Sequence, residues 1–187
     1  ITAGAITIPN TDGTANQVLK TDGSGTLSWA TDAAGASAID GLSDAKLEGT
    51  DFTGSMLIGH QTTGTLNNAK YNVGVGLGAL DAITEGDNNT AIGYNSLSSN
   101  TTGVSNTANG MYTLYSNTTG DDNTATGYTA LFSNTTGLYN TANGNEALRS
   151  NTTGSFNTAT GTNALFSNTT GSDNIANGYE ALKSNTT

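Results

Sequence analysis

Hydrophobic residues recur at one fixed spacing through the C-terminal two thirds of the chain. A leucine recurs with a 17-residue period from Leu97 to Leu182, and an alanine stands six residues before each of these leucines. The residues between them are mostly polar, and each repeat begins with an asparagine. These asparagines are Asn89, Asn106, Asn123, Asn140, Asn157 and Asn174. Self-similarity at such a period is typical of solenoid proteins, in which each repeat contacts only its neighbours.

Counted from its asparagine as place one, the repeat reads N-T-A-x-G-x-x-A-L-x-S-N-T-T-G-x-x. At about 3.3 Å per residue it spans at most roughly 56 Å, enough for two short strands and two turns. We predict a first strand N-T-A-x-G and a second strand x-A-L-x-S, with Gly and Asn-Thr-Thr-Gly at the bends. Because side chains alternate along a strand, Leu at place nine and Ala at place three should face inwards, and places two, four and ten outwards.

A second, 34-residue period is superimposed on the first. In the last four repeats, place four alternates between threonine and asparagine, and place ten between phenylalanine and a basic residue. These residues are Thr126, Asn143, Thr160 and Asn177 at place four, and Phe132, Arg149, Phe166 and Lys183 at place ten. A 34-residue length matches a common helical repeat, but Gly, Asn and Thr at fixed places are poor helix formers. The sequence therefore predicts an all-β, fibrous, parallel β-solenoid.

The chain is expected to divide into three parts. Residues 1–35 are predicted to form a β-hairpin module, because V-L-K and T-L-S-W flank turn residues at Asp22-Gly23 and Gly25, and Trp29 should anchor it. Residues 36–54, rich in Ala, Asp and Gly, are interpreted as a linker or short shaft. Residues 55–187 form the repeat array, with a cap at 55–71, a degraded coil at 72–88 and regular coils at 89–187. The array is expected to continue beyond Thr187.

The core predicted for one coil is thin. A single Leu with its Ala residues offsets only a small part of the conformational entropy lost when a whole coil becomes ordered. Stacking of coils adds continuous backbone hydrogen bonds, and association through the threonine-bearing face would bury a second surface. On this ground we expect a homo-oligomer.

Two segments resemble known fibre proteins. The segment N-N-T-A-I-G at 88–93 is similar to the N-S-V-A-I-G repeat of trimeric autotransporter adhesin heads, which are left-handed parallel β-rolls assembled as trimers. This chain has Thr where those repeats favour Val, which implies a more polar trimer core. The 17-residue form, together with N-Q-V-L-K-T-D-G-S-G-T-L-S-W at 16–29, resembles bacteriophage tail-fibre proteins and related adhesin-like proteins.

The resemblance implies a function as well as a fold. It indicates the homotrimeric shaft of an attachment fibre on a virion, which mediates adhesion to a host surface. The host receptor, a glycan or a protein, would be contacted through regions outside this segment. The alternative is a bacterial cell-surface adhesin or extracellular filament of the same architecture. An ice-binding solenoid is a third, less favoured hypothesis.

Amino-acid composition and charge limit the kinds of partner that the chain can bind. Leu, Ile, Val and Phe make up only 31 of the 187 residues, so composition by itself predicts no fold, yet only 11% of residues are charged. The formal net charge of −10 with five basic residues argues against nucleic acid, since phosphate binding needs clustered cations. Without cysteine there is no disulfide or thiolate site. No apolar stretch reaches the roughly 18 to 20 residues that span a bilayer, so no membrane insertion is expected.

Candidate catalytic and metal-binding residues are few. His60 is the only histidine and has no nucleophile motif beside it, and it is interpreted as a surface or turn residue rather than a metal ligand shared in a trimer. The pair Asp121-Asp122 is the best calcium candidate, but acidic residues do not recur at those places in the other repeats. We therefore assign no catalytic, cofactor-binding or metal-binding residue and predict that the chain is not an enzyme.

Three further motifs are explained by the repeat. The Asn-Thr-Thr triplets match the glycosylation pattern but stand where a turn requires Asn and Thr. The segment Gly74–Gly78 lacks the helix and the acidic partner of a nucleotide-binding loop and belongs to the repeat frame. The Thr-x-Thr ladder of Thr124 with Thr126 and Thr158 with Thr160 would suit ice binding, but Asn or Ile interrupts it in the neighbouring coils.

Overall fold

The computed structural model describes residues 17–21, 26–31, 45–47, 55–58 and 66–187. The chain divides into two compact units, residues 1–41 and 42–187. All eleven regular elements found in the described residues are β-strands, and none of them is a helix. The predicted all-β class is therefore confirmed.

The described part of the first unit is a β-hairpin. Strand β1 (Gln17–Thr21) pairs antiparallel with β2 (Leu27–Thr31), and Leu19 lies opposite Trp29. This pairing confirms the hairpin predicted from the sequence. The side chain of Trp29 is 36% exposed. The turn residues 22–25 lie outside the described residues.

The described part of the second unit contains one nine-stranded sheet whose strands follow one another in chain order. Strand β3 (Ala45–Leu47), which falls within residues 36–54, pairs antiparallel with β4 (Met56–Ile58). The other pairs are parallel, and each joins equivalent places of successive coils, as Ala108 joins Ala125. The parallel strands are β4 (Met56–Ile58), β5 (Val73–Val75), β6 (Thr90–Ile92), β7 (Thr107–Asn109), β8 (Thr124–Thr126), β9 (Thr141–Asn143), β10 (Thr158–Thr160) and β11 (Ile175–Asn177). The unit is a β-solenoid of about seven turns, and its left-handedness stays a prediction.

Successive coils are also hydrogen-bonded outside the strands. The backbone N–H of Leu114 donates to the carbonyl of Ala130 at 3.0 Å, and that of Thr118 donates to Thr135 at 3.0 Å. In addition, the hydroxyl of Thr118 donates to the same carbonyl of Thr135 at 3.1 Å. Each coil is therefore bound to the next around much of its circumference.

The second strand predicted within each coil is wrong. Residues 128–133, which cover places six to eleven, form consecutive turns, and the other regular coils do the same. Thr129 and Leu131 have φ angles of 50° and 51°, in the left-handed region, whereas a strand needs strongly negative φ. Gly127, with φ of 127°, turns the chain out of β8, and a Cβ there would lie 2.5 Å from the carbonyl oxygen of Gly144. The positive φ angles wind the chain tightly enough to return it after one short strand.

The faces predicted for the side chains are nevertheless confirmed. Place-three alanines, from Ala91 to Ala159, are at most 1% exposed, while the outward residues at places two and four flank them on the strands. Leucines at place nine fill the other side of the interior. The fully buried ones are Leu80, Leu97, Leu114, Leu131, Leu148 and Leu165, whereas Leu182 in the last coil is 50% exposed.

The interior also contains two columns of buried asparagines. At place one, the backbone N–H and Nδ2 of Asn89 both donate to Oδ1 of Asn72, at 2.9 and 3.1 Å, and Nδ2 also donates to the carbonyl of Gly103. At place twelve, Nδ2 of Asn134 donates to Oδ1 of Asn117 at 2.8 Å and to the carbonyl of Gly137 at 3.0 Å. We call these columns the two amide ladders. Place twelve was predicted to be part of a bend, and the bond from its Nδ2 to the glycine three residues later closes that bend from the inside.

The interior of the N-terminal coils differs from that of the regular coils at places one, three and twelve. Ile83 occupies place twelve of the degraded coil and is fully buried, so the second ladder begins only at Asn100. At place three, Leu57 of β4 lies against Gly74 of β5, which has no Cβ to obstruct it. The first ladder begins at Ser55, whose Oγ accepts from the N–H of Asn72 at 2.8 Å. The array therefore has an apolar start and a polar continuation.

Candidate functional surfaces

Asp121 and Asp122, the calcium candidates from the sequence, do not belong to a cluster of metal-ligating side chains within the described part of the chain. Oδ1 of Asp121 accepts a hydrogen bond of 2.8 Å from the backbone N–H of Val104, one coil earlier. In the same way, Oδ1 of Asp87 accepts a hydrogen bond of 2.7 Å from the backbone N–H of Lys70. Across the described residues, no three His, Cys, Asp or Glu side chains cluster as a metal site requires. His60 lies outside the described residues.

The Asn-Thr-Thr triplets and the glycine-rich segment are both structural. The place-twelve asparagines of five triplets are completely buried, so their amides are inaccessible to a glycosyl transferase in the folded chain. They are Asn100, Asn117, Asn134, Asn151 and Asn168. Within the segment 74–78, Gly74 lies in strand β5, and no helix follows it. A nucleotide-binding loop is therefore absent from this segment.

The first large surface is the outward side of the parallel strands, which we call the strand face. It is formed by the side chains at places two and four of β4 to β11, because the alternation along each strand sends place three into the core. None of its sixteen residues is charged. They are Met56, Ile58, Val73, Val75, Thr90, Ile92, Thr107, Asn109, Thr124, Thr126, Thr141, Asn143, Thr158, Thr160, Ile175 and Asn177.

The strand face changes character along the stack. From β4 to β6 it is mostly apolar, with Ile92 42% exposed. From β7 to β10 only threonine and asparagine occur. In-register pairing aligns Thr107 with Thr124, and Asn109 with Thr126, so that place two forms a regular threonine column and place four an alternating one. Because place four alternates between threonine and asparagine, the strand face matches the repeating pattern of an ice-binding surface less well.

The second surface is an aromatic and cationic column on the turn side, which we call the turn-side ridge. The rings of Tyr115 and Phe132 at place ten are stacked, with centroids 5.2 Å apart and planes 9° apart. Tyr112 packs edge-on against Tyr94 and Tyr115, and its hydrogen bond with Tyr94 raises the pKa of Tyr112. The ridge buries aromatic surface outside the core and links three consecutive coils.

The ridge explains the 34-residue period at place ten. The guanidinium of Arg149 lies between two rings, 5.5 Å from the centroid of Phe132 and 5.7 Å from that of Phe166. Its Nε is also 3.6 Å from Oε1 of Glu146. Two coils later, Nζ of Lys183 is 2.5 Å from Oε1 of Glu180. The alternation at place ten keeps the two cations, Arg149 and Lys183, two coils apart and gives Arg149 an aromatic neighbour on each side.

A smaller aromatic pair stands at place seventeen. The rings of Tyr139 and Phe156 are stacked with centroids 5.1 Å apart, and both side chains are more than half exposed. The neighbouring coils carry Asp122 and Asp173 at this place. This pair does not recur along the array, so it is a local feature of two coils.

Two ion pairs lie on the described surface of the solenoid. The described acidic residues nearest a base are Glu146 and Glu180, each beside a cation three residues later. The hydrogen bond from Lys183 lowers the pKa of Glu180 and raises the pKa of Lys183 itself. The remaining described surface carries amides, hydroxyls, aromatic rings and scattered carboxylates such as Asp122 and Asp173. Among the described residues, no helix is long and apolar enough to cross a membrane.

Comparison with known proteins adds no relative. No protein-family model matches the chain, and neither a curated protein nor a solved structure is significantly similar to it. The fold therefore defines a class, the β-solenoids, in which this chain has a 17-residue repeat.

Proposed function

We propose that this chain forms the shaft of an attachment fibre, a homotrimer on a bacteriophage tail that transmits contact between the virion and its host. The observation that carries the proposal is the uniformity of the coils: each of the five coils from Asn89 to Asp173 repeats the same strand, the same buried Leu and the same two buried asparagines. Such a repeat extends a rod by about 4.8 Å per coil without changing its cross-section. A spacer between two distant surfaces needs this property.

The hydrogen bonding also supports a mechanical role. Each coil from Asn89 to Phe156 is joined to the next by strand pairing, turn hydrogen bonds and two amide ladders. Extending or shearing the stack would have to break several of these bonds together. In this proposal no catalysis occurs on the shaft, and the host receptor, a glycan or a protein, binds elsewhere on the fibre.

Two measurements test the proposal. Sedimentation equilibrium of the purified chain should give three times the monomer mass, and negative-stain electron microscopy should show straight rods. A compact monomer at micromolar concentration would contradict the trimeric shaft.

Immunogold labelling then distinguishes a fibre on the virion from an adhesin on the bacterial surface. Antibodies against the chain should decorate tail fibres of virions rather than the surface of uninfected bacteria. Labelling of the bacterial surface instead would support the alternative, a cell-surface adhesin of the same architecture. Ice should grow normally in the presence of the chain.

A further inference from the structure

We infer that copies of this chain pack against one another through the strand face, and that its apolar end holds them together. This end, which we call the apolar clasp, consists of Met56, Ile58, Val73, Val75 and Ile92 on β4 to β6. The threonine and asparagine residues of β7 to β10 then keep the copies in register. The inference rests on the proposed homo-oligomer and names the surface that forms it.

Charge favours the strand face as the contact surface. The chain carries a formal net charge of −10, so two copies repel each other, and the repulsion is smallest where the contacting faces carry no charge. The strand face has no charged residue in sixteen positions. The turn-side ridge, in contrast, carries Glu146, Arg149, Glu180 and Lys183. Depletion of charge is also what distinguishes the centre of a protein interface from the remaining surface.

The second argument is that the apolar residues of the clasp are not required by the coil. Places two and four of β7 to β10 hold threonine or asparagine on the same parallel strand, with partners in the same register. Valine and isoleucine at these places therefore serve something other than the backbone geometry. Their side chains point away from the core: that of Ile92 is 42% exposed, and those of Met56, Ile58, Val73 and Val75 are half-buried. A cluster of outward apolar residues on three adjacent strands is typical of a contact surface.

The repeat spacing of the strand face identifies a second copy of the chain as the partner. The strand face repeats every coil, and only a partner with the same repeat spacing stays in register over the whole stack. Copies related by a symmetry axis along the fibre place each coil beside the same coil of its neighbour, so Ile92 meets Ile92 and Thr124 meets Thr124. Threonine hydroxyls and asparagine amides both donate and accept hydrogen bonds, so identical residues can pair across such an axis.

Single cysteines provide the test, because the chain has none of its own. Thr126→Cys places a thiol on the strand face, and Thr136→Cys places one at an exposed bend of the same coil. With mild oxidant, we expect disulfide-linked dimers from Thr126→Cys and none from Thr136→Cys. Sedimentation before oxidation establishes whether the oligomer is present.

The outcomes separate the inference from the function it rests on. An oligomer that cross-links at residue 136 and not at 126, or at neither, overturns the strand face as the interface while the homo-oligomer stands. A monomer before oxidation removes both. Cross-linking at residue 126 alone supports the interface.

A charge substitution tests the clasp itself. Ile92→Asp should weaken assembly by roughly tenfold or more, because it brings like charges together across a desolvated contact. Thr136→Asp is the control, because it adds the same carboxylate at an exposed bend where the adjacent coils carry the uncharged Thr119 and Thr153. Circular dichroism should show both variants folded. Equal dissociation constants for the two variants would overturn the clasp.

Discussion

The side-chain Nδ2 of Asn117 donates a hydrogen bond of 2.9 Å to Oδ1 of Asn100, one coil earlier, and both residues are completely buried. The same Nδ2 donates to the carbonyl of Gly120 at 2.9 Å, within its own coil. One amide therefore fixes the bend of its coil and the distance to the next coil at once. The thin apolar core is supplemented by a polar interior in which hydrogen bonds follow the fibre axis.

Breaking this ladder in the middle should be costly. Asn134→Ala leaves Oδ1 of Asn117 without its donor, whereas the carbonyl of Gly137 keeps Nδ2 of Asn123 and Nδ2 of Asn151 loses one of its two acceptors. At about 1–3 kcal/mol for the unsatisfied buried oxygen and about 1 kcal/mol for each further hydrogen bond lost, we expect a loss of about 3 kcal/mol in the free energy of unfolding. Urea denaturation followed by circular dichroism measures it.

Two controls show whether the ladder is responsible. Thr136→Ala, at an exposed position of the same bend, should change stability by no more than about 0.5 kcal/mol. Asn100→Ile copies Ile83 at the start of the ladder, where one hydrogen bond fewer is lost, and should cost less than Asn134→Ile. Equal losses for Asn134→Ala and Thr136→Ala would show that the buried amide contributes nothing.

The sequence predicted the architecture well because the period is a property of the chain itself. A leucine in every repeat and an alanine six residues earlier were sufficient for the coil and for its two interior columns. The second strand was wrong because hydrophobic alternation at Leu131 does not reveal a φ of 51°. Left-handed residues are common for Asn and Gly, and nothing marks a leucine as one.

The buried asparagines were missed for a different reason. Asn is expected at turns, so the bend explained Asn134 without placing it inside. The signal was present in its recurrence: a bend also tolerates Gly, Asp or Ser, yet every regular coil uses Asn at places one and twelve. Demand for both a donor and an acceptor in one side chain accounts for this choice. The strand face, in contrast, followed directly from side-chain alternation.

The leucine column should be indispensable. Leu131→Ala removes a fully buried side chain between Leu114 and Leu148 and should cost about 3 kcal/mol. Replacing Leu131 and Leu148 together with Asp places two carboxylates in the interior and should unfold the stack. The control is Thr136→Asp, which adds a carboxylate at an exposed bend of the same coil as Leu131. Retention of the circular dichroism spectrum by the double Asp variant would show that leucine is not the core.

Thr129 is a position where the chain can be improved. Its φ of 50° is unfavourable for a β-branched residue, and its buried Oγ1 has no hydrogen-bond partner. Asn95 occupies the same place two coils earlier with a φ of 53°. We expect Thr129→Asn to raise the free energy of unfolding by about 0.5–1 kcal/mol. A lower urea midpoint for this variant would argue against strain at Thr129.

Stability should depend little on pH between about 5 and 9, because the buried polar residues described are Asn, Ser and Thr, which do not titrate in this range. The contribution of Glu180, whose pKa is lowered by Lys183, is present above its unfolded value and lost as the pH falls through the folded one. That of Lys183, whose pKa is raised by Glu180, is lost only as the pH rises through its folded value.

Urea midpoints at pH 5, 7 and 9 measure this dependence. Glu180→Gln should remove only the small contribution of an exposed ion pair. A steep fall in the midpoint between pH 7 and pH 5 would reveal a titrating group that stabilises the fold.

The alternation at place ten makes a final prediction, which concerns the ridge. Phe166→Lys puts a third cation between Arg149 and Lys183 and removes the ring that lies 5.7 Å from the guanidinium of Arg149. We expect it to lower stability by about 1 kcal/mol at low salt, with partial recovery at high salt, because the added repulsion is exposed and screened. Ser98→Lys introduces the same side chain at the same place between Asp81 and Tyr115, where no cation is adjacent, and should be neutral or slightly stabilising. Urea midpoints of both variants in low and high sodium chloride decide the matter. If both lysines lower the midpoint equally and salt changes neither, repulsion between cations in adjacent coils is not the reason for the 34-residue period.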